Sequence, residues 1–205
     1  MLLCDIGNTS YHFLEDDKEY KKDVTSFNPK EITKVVYFIC VNASVSKKLE
    51  KLDNWIDLKE FVKAENYYAT MGVDRIFAIE AVESCVIVDA GSAITVDVVK
   101  EGVFDGGFIY PGKRAMEQTY EKISPALAYS FNFDLDLDIM PKNSQDAISY
   151  GFLKTLYSEV SSHNLPVVLT GGDAQEFKKI FKNAQLDEQL IFKGMKKIIK
   201  EAKLC

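Results

Sequence analysis

The sequence predicts an α/β protein made of two related halves, because one device occurs twice along it. The stretch Met1-Leu-Leu-Cys-Asp-Ile-Gly-Asn-Thr-Ser10 returns as Val86-Ile-Val-Asp-Ala-Gly-Ser-Ala-Ile-Thr95. In each copy an apolar run reads as a buried strand, an aspartate sits where that strand leaves the core, and a glycine makes the turn. Size agrees: 205 residues, 47% of them hydrophobic, can bury a sizeable core in one large domain or two small ones, and the repeat favours two. Beyond each strand end, backbone N–H groups and the hydroxyls of Thr9, Ser10 or Ser92 suit a phosphate, while Asp5 and Asp89 suit the cation that accompanies it. Two such devices imply two halves facing one cleft.

Taken in order, residues 1–5 and about 10–15 read as a hairpin around Gly7-Asn8, with Asp16-Asp17-Lys18 as the next turn. Asn28-Pro29 breaks the chain. The continuous apolar run Val35 to Val41 predicts a central strand, followed by a short helix to about Leu52 capped by Ser44 or Ser46. Trp55 to Val62 fits strand or helix equally. Ile76, Ile79 and Val82 recur at helical spacing, so Gly72 ends a loop and Asp74 lies at or near the first turn of a helix. A plain N-cap accounts for Asp74 without chemistry. On spacing alone the cap is the favoured reading, but an Asp-Arg pair on a glycine-preceded loop, just before the second copy of the device, is nevertheless well placed for function.

The second half opens with strands at 86–89 and about 93–99, then a strand from Val103 to Tyr110 in which Gly106-Gly107 marks a bulge or close backbone approach. Ala115, Met116, Thr119 and Ile123 predict a helix that ends before Pro125. The acids Asp134, Asp136 and Asp138 alternate with Leu135, Leu137 and Ile139, which fits a solvated strand or extended loop better than a calcium loop. Ser144 reads as the N-cap of a helix carrying Ala147, Ile148, Phe152, Leu156 and Val160. Leu165 to Leu169 is a last core strand. Thr170-Gly-Gly-Asp-Ala174 joins it to a helix with Phe177, Ile180 and Phe181, where the glycines let a nucleotide lie close to the backbone and Asp173 with Glu176 resembles a capping box. Lys193, Lys196, Lys197, Lys200 and Lys203 surround Met195, Ile198, Ile199 and Ala202 at helical spacing, as on an amphipathic surface helix.

Charge and composition narrow the function classes. A net charge of −6 and a pI near 5.1 argue against a general nucleic-acid binder. No apolar run approaches the roughly 20 residues of a membrane span, so the expectation is a cytoplasmic protein without a membrane partner. Cys4, Cys40, Cys85 and Cys205 lack paired metal-site spacing and read as reduced thiols, three of them in or beside apolar strands. His12 and His163 each stand alone and read as a turn or strand residue and a surface loop residue. No Gly-x-x-x-x-Gly-Lys-Ser/Thr loop is present, which excludes the P-loop route to phosphate binding.

Five motifs in this order, Asp5-Ile-Gly-Asn-Thr9, Gly72-Val-Asp-Arg75, Asp89-Ala-Gly-Ser-Ala-Ile-Thr95, Gly106-Gly-Phe-Ile-Tyr-Pro-Gly112 and Thr170-Gly-Gly-Asp-Ala174, resemble type III pantothenate kinase from Met1 to about Ile199. The resemblance implies a duplicated actin-like, ribonuclease-H-like fold with mixed sheets flanked by helices, divided as 1–83, carrying the first phosphate loop and the substrate loop, and 84–205, carrying the second phosphate loop and the nucleotide motif. It implies ATP-dependent phosphorylation of the primary hydroxyl of pantothenate, the first step towards coenzyme A.

Residue by residue, the resemblance assigns ATP binding to Asp5, Ile6, Gly7, Asn8, Thr9, Ser10, Tyr11 and His12, with Ser92, Gly171 and Gly172 from the second half. It assigns substrate binding to Gly72, Val73, Asp74 and Arg75, with Tyr67 or Tyr68 and with Ser144, and makes Asp74 the base. Asp5 would hold magnesium through water. Asp89 would hold a monovalent cation, potassium or ammonium. Ser92 stands where the family more often has threonine, which keeps the hydroxyl. The implied assembly is a homodimer that brings Tyr67, Tyr68 or Ser144 near Asp74 of a second subunit. Two other readings remain: another small-molecule kinase of the same fold, and a noncatalytic regulatory relative, against which the intact Asp5, Asp74 and Asp89 argue.

Overall fold

The computed structural model describes residues 1–204; Cys205, one of the four predicted thiols, lies outside the described residues. The first half contributes β1 (Leu2–Ile6), β2 (Ser10–Glu15), β3 (Lys18–Asp23), β4 (Val36–Cys40), α1 (Ala43–Leu49), β5 (Trp55–Asp57) and α2 (Val73–Glu80). The sheet order is β3-β2-β1-β4-β5, with β1 antiparallel to β2 and parallel to β4. Leu2, Cys4 and Ile6 alternate onto one face and pack with Tyr11, Phe13, Phe38, Val45, Leu49 and Trp55. The opposite face is apolar as well, since Leu3, Leu14 and Ile39 are also buried. That explains why the β1 and β4 runs are continuous rather than alternating.

Several expected details differ. The strand β3 was not evident in the sequence because it is a charged, exposed edge, as edge strands commonly are. It is reached through Asp16 and Asp17, both at positive φ, the geometry of a tight two-residue hairpin. The cap of α1 is Asn42, not Ser44 or Ser46: its side-chain oxygen accepts from the N–H groups of Ser44 and Val45. The ambiguous stretch after Trp55 divides into the short β5 and a 3₁₀ turn at Leu58–Phe61.

The second half contributes β6 (Cys85–Ala90), β7 (Ala93–Lys100), β8 (Val103–Pro111), α3 (Lys113–Ile123), α4 (Ser144–Ser162), β9 (Val167–Thr170), α5 (Ala174–Phe177) and the two-residue β10 (Gln185–Leu186). Its sheet runs β8-β7-β6-β9-β10, the same order and directions as the first. Even the β7–β8 turn repeats the earlier device, with Glu101 and Gly102 at positive φ. The expected bulge is present: Val98 pairs with Gly106 and Val99 with Phe104, which leaves Asp105 over. One face of the sheet packs Val86, Val88, Ile94, Val96 and Val98 against Phe152, Leu156 and Phe177.

The last helix, α6 (Leu190–Glu201), departs from a simple cut after residue 83. One compact unit comprises Met1–Val82 together with the chain from Gln189 on, and the other comprises Glu83–Glu188. The helix packs on α2 and β1 and buries Leu190, Phe192, Met195, Ile198 and Ile199. Contact with α2 is close enough that a Cβ on Gly194 would stand 1.8 Å from the carbonyl oxygen of Phe77. The chain is tied down further where the Tyr37 hydroxyl donates to the Leu204 carbonyl at 2.8 Å. No helix among the described residues is long and apolar enough to cross a membrane.

Because the obstacle at Gly194 is backbone, Gly194→Ala is expected to lower the unfolding free energy by about 1–3 kcal/mol. In contrast, Gly151→Ala, in α4 with no atom within 4 Å of the added Cβ, is expected to be neutral or stabilising by up to about 1 kcal/mol. Urea unfolding of the two variants beside the native chain checks the difference.

Candidate active site

Asp5 is the fourth residue of β1, paired with His12 on the antiparallel side and Ile39 on the parallel side. Beyond it the neighbours diverge: the Gly7 N–H donates to the Ser10 carbonyl at 3.0 Å to close the turn into β2, while Val41 leaves after one bond to Ile6. The Asp5 carboxylate is half-buried, and Asn8 and Thr9 are exposed. Ile6 and Tyr11 are buried in the core, so neither presents its side chain to a ligand. The Tyr11 ring meets Phe27 edge-on at 4.9 Å, and burial pushes its phenol pKa up to about 12. His12 lies in β2, with Nε2 2.8 Å from a Glu19 carboxylate oxygen and its ring edge-on to Phe192 at 4.9 Å. Burial, then Lys21, lowers its pKa against the opposing pull of Glu19, so the imidazole is mostly neutral at pH 7.

The Gly72–Arg75 loop forms the start of α2, but Asp74 is not the cap. Gly72 holds that position without a side-chain bond, and Asp74 is the second helical residue. Its carboxylate folds back, accepting from the Arg75 N–H at 2.8 Å and lying where a Cβ on Gly72 would come within 2.4 Å of Oδ1. The glycine therefore makes room for the acid two residues on. Val73 is buried under the loop, and Arg75 is only 5% exposed. The Arg75 guanidinium donates to the Tyr68 hydroxyl and stands 5.7 Å from that ring's centre.

The two tyrosines, equivalent in sequence, are separated by their partners. The Tyr67 hydroxyl donates to Glu80 at 2.8 Å, and Glu80 also pairs with Lys197 at 3.2 Å. Burial, then Glu80, raises the Tyr67 phenol pKa. Tyr68 remains 45% exposed beside Arg75.

In the second unit Asp89 occupies the equivalent place, paired with Thr95 on the antiparallel side and Thr170 on the parallel side. Two segments grip the turn that follows. Gly171, at φ 89°, approaches until a Cβ would stand 2.3 Å from Asp89 Oδ1 and 2.5 Å from the Ala90 carbonyl oxygen. Next to it the Asp173 N–H donates to that Ala90 carbonyl at 2.9 Å. From the other side Gly112 approaches the Ser92 and Gly91 carbonyl oxygens, where a Cβ would stand at 2.3 and 2.5 Å. Ser92 is exposed, and Gly172 has open space above it. Gly112 and Thr170 were visible in the motifs but not singled out; their signal was a glycine after Pro111 and a hydroxyl closing an apolar strand.

Two further expected caps take other forms. Ser144 is exposed as the first residue of α4, and Asn143 makes the cap by accepting from the Asp146 N–H at 2.9 Å. Asp173 makes no side-chain cap bond to α5, and Glu176 turns instead to Lys113. Residues 131–140 form neither the expected strand nor an extended run but a turn-rich loop, with the Asp134 and Asp138 N–H groups donating to the Asn132 and Asp136 side chains at 2.9 Å, Asp134 paired to Lys179 and Asp138 to Lys154. His163 ends α4, 3.8 Å from Glu159.

The sequence model of the type III pantothenate kinase family matches residues 53–163. The type III pantothenate kinase of Sulfurimonas denitrificans is 60% identical over 205 residues, covering 100% of each chain. This chain belongs to the type III pantothenate kinase family. A Campylobacter jejuni crystal structure, named as a conserved Baf family transcriptional activator, matches this kinase-family chain with a TM-score of 0.90 at 38% identity over 100% of both. A 2-dehydro-3-deoxygalactonokinase from Sinorhizobium meliloti matches 98% of each chain at 9% identity and a TM-score of 0.57, and shares the fold alone. That fold is the duplicated actin-like one.

The two site glycines are expected to respond differently. Gly72→Ala meets only the end of the Asp74 side chain; moving that carboxylate by about 1 Å is expected to lower turnover about 10²-fold, with stability changed by no more than about 0.5 kcal/mol. Gly171→Ala meets backbone at a positive φ and is expected to cost about 1–3 kcal/mol of stability as well as turnover. Kinase assays and urea unfolding on the same preparations check both.

Proposed function

We propose that this chain transfers the γ-phosphoryl group of ATP to the primary hydroxyl of pantothenate, giving 4′-phosphopantothenate, with Asp74 as the general base. The observation that carries this reading is the geometry of Gly72–Arg75, in which a carboxylate is held against a helix N-terminus beside a buried arginine. Family membership supplies the substrates. Phosphoryl transfer asks chiefly for positioning and charge neutralisation. Asp74 accepts the hydroxyl proton as the oxygen attacks in line, and the pair of electrons freed at the other end stays on the ADP leaving group. Arg75, with its fork presented beside Tyr68, binds the carboxylate of pantothenate. The turn closed by the Gly7 N–H offers the backbone N–H groups of Asn8 and Thr9 to phosphate oxygens.

A divalent ion fits Asp5: magnesium keeps several waters and needs only one or two protein carboxylates beside the nucleotide. When bound it neutralises phosphate charge, and the role of Asp5 is to orient its water shell. Asp89, flanked by Thr95, Thr170 and the carbonyls of the 90–92 turn, is an all-oxygen set suited to potassium or ammonium. In the homodimer we propose, Ser144 of one copy reaches the substrate of the other; its hydroxyl is exposed and stands outside the cap. The reading places the chain in the cytoplasm, where ATP is available.

The regulator reading has one observation behind it, the name of the Campylobacter relative. Steady-state phosphorylation of pantothenate by the native chain and by Asp74→Asn separates the two. Native turnover with a loss of about 10²-fold or more in the variant supports the kinase and its base. ATP binding without phosphorylation by the native chain, or a variant as active as the native, would overturn it.

A further inference from the structure

The half-buried ion pair between Lys113 and Glu176 in the second unit has no part in the chemistry described above. Lys113 Nζ lies 2.8 and 2.6 Å from the two carboxylate oxygens of Glu176 and 5.7 Å from the centre of the Phe133 ring. The lysine side chain is 24% exposed and the glutamate 45%. Burial acts to lower the lysine's pKa, but the hydrogen bond and charge of Glu176 outweigh it and raise the value. The lysine is therefore charged throughout the neutral range.

What matters is where the two partners are attached. Lys113 immediately follows Gly112, whose Cα rests on the carbonyls of Gly91 and Ser92. Glu176 lies on α5, just after the Gly171–Asp173 segment that rests on Asp89 and bonds the Ala90 carbonyl. The Ala90–Ser92 turn is thus gripped from both sides by glycine backbone, with the Asp173 N–H bond to Ala90 on one side and no side chain on Gly112 or Gly171 to lock either contact. We infer that the Lys113–Glu176 pair is a positioning clasp that holds the Gly112 and Gly171 grips together around the Ala90–Ser92 turn and so pre-forms the nucleotide end of the site. This rests on the reading that the Asp89 turn binds ATP. Preorganisation of this kind acts on binding, because a turn already held in place loses less freedom when the nucleotide arrives.

The test is ATP affinity, measured by calorimetry with a non-transferring ATP analogue, together with KM for ATP and kcat at saturating ATP. The proteins are the native chain, Lys113→Met, Glu176→Gln, the reversed pair Lys113→Glu with Glu176→Lys, and Asp89→Asn. Each single variant is expected to bind the analogue about fivefold more weakly, the size one partly exposed ion pair supports, with KM for ATP raised to match and kcat within about twofold. The reversed pair is expected to regain most of the affinity, which distinguishes a clasp from a lysine that touches the nucleotide itself. Native affinity in both single variants would overturn the clasp. So would a loss confined to Lys113→Met, or a reversed pair no better than the single variants. Native affinity in Asp89→Asn would remove the nucleotide from this turn and the clasp with it, a failure of the underlying reading that the other variants alone would not produce.

Discussion

A central strand with an antiparallel neighbour on one side and a parallel neighbour on the other is the constraint on which both halves depend. At the end of such a strand the neighbours must part, one turning back at once and the other continuing into a crossover. The parting opens a crevice at the carboxyl edge of the sheet, where ligands of open α/β sheets bind. A carboxylate buried mid-strand would be costly; one residue short of the end it is half-buried and can face a cation. Asp5 and Asp89 occupy that place in their own sheets, which is why the same short motif is written twice.

Glycine supplies the second constraint. At Gly72, Gly112, Gly171 and Gly194 the missing Cβ lets backbone or a carboxylate come closer than any side chain would allow. Gly72 and Gly194 make these contacts in the first unit, the latter in the helix pair that anchors α6, and Gly112 and Gly171 make them in the second. The kinase family's glycine-rich motifs are therefore packing instructions first.

The sequence made the strands that matter legible, since β1, β4, β6 and β7 are apolar runs ended by turn residues. It also showed the duplication and the two strand-end acids. It hid β3, because a charged edge strand such as Lys18-Glu-Tyr-Lys-Lys-Asp23 has no apolar face to announce it. The caps lie at Asn42, two or four residues before the expected serines, and at Asn143, one before, where an asparagine amide oxygen takes the N–H groups that those serines were expected to hold. The capping box at Asp173 gave way to the longer-range attraction of Lys113 for Glu176. The division of labour between Tyr67 and Tyr68 depends on Glu80 and Arg75, partners at helical positions that the tyrosines' own neighbourhood does not reveal. The return of α6 to the first unit was hidden for a similar reason: its lysine pattern shows an apolar face but not which surface covers it.

If the two strand-end carboxylates perform separate tasks on one nucleotide, the most direct measurement is pantothenate kinase activity titrated independently with magnesium and with potassium, for the native chain, Asp5→Asn and Asp89→Asn. The expected result is that Asp5→Asn raises the magnesium requirement and keeps the native potassium response, while Asp89→Asn loses the potassium response and keeps the native magnesium requirement. A variant that retained the native response to its assigned ion would contradict the assignment of the paired acids.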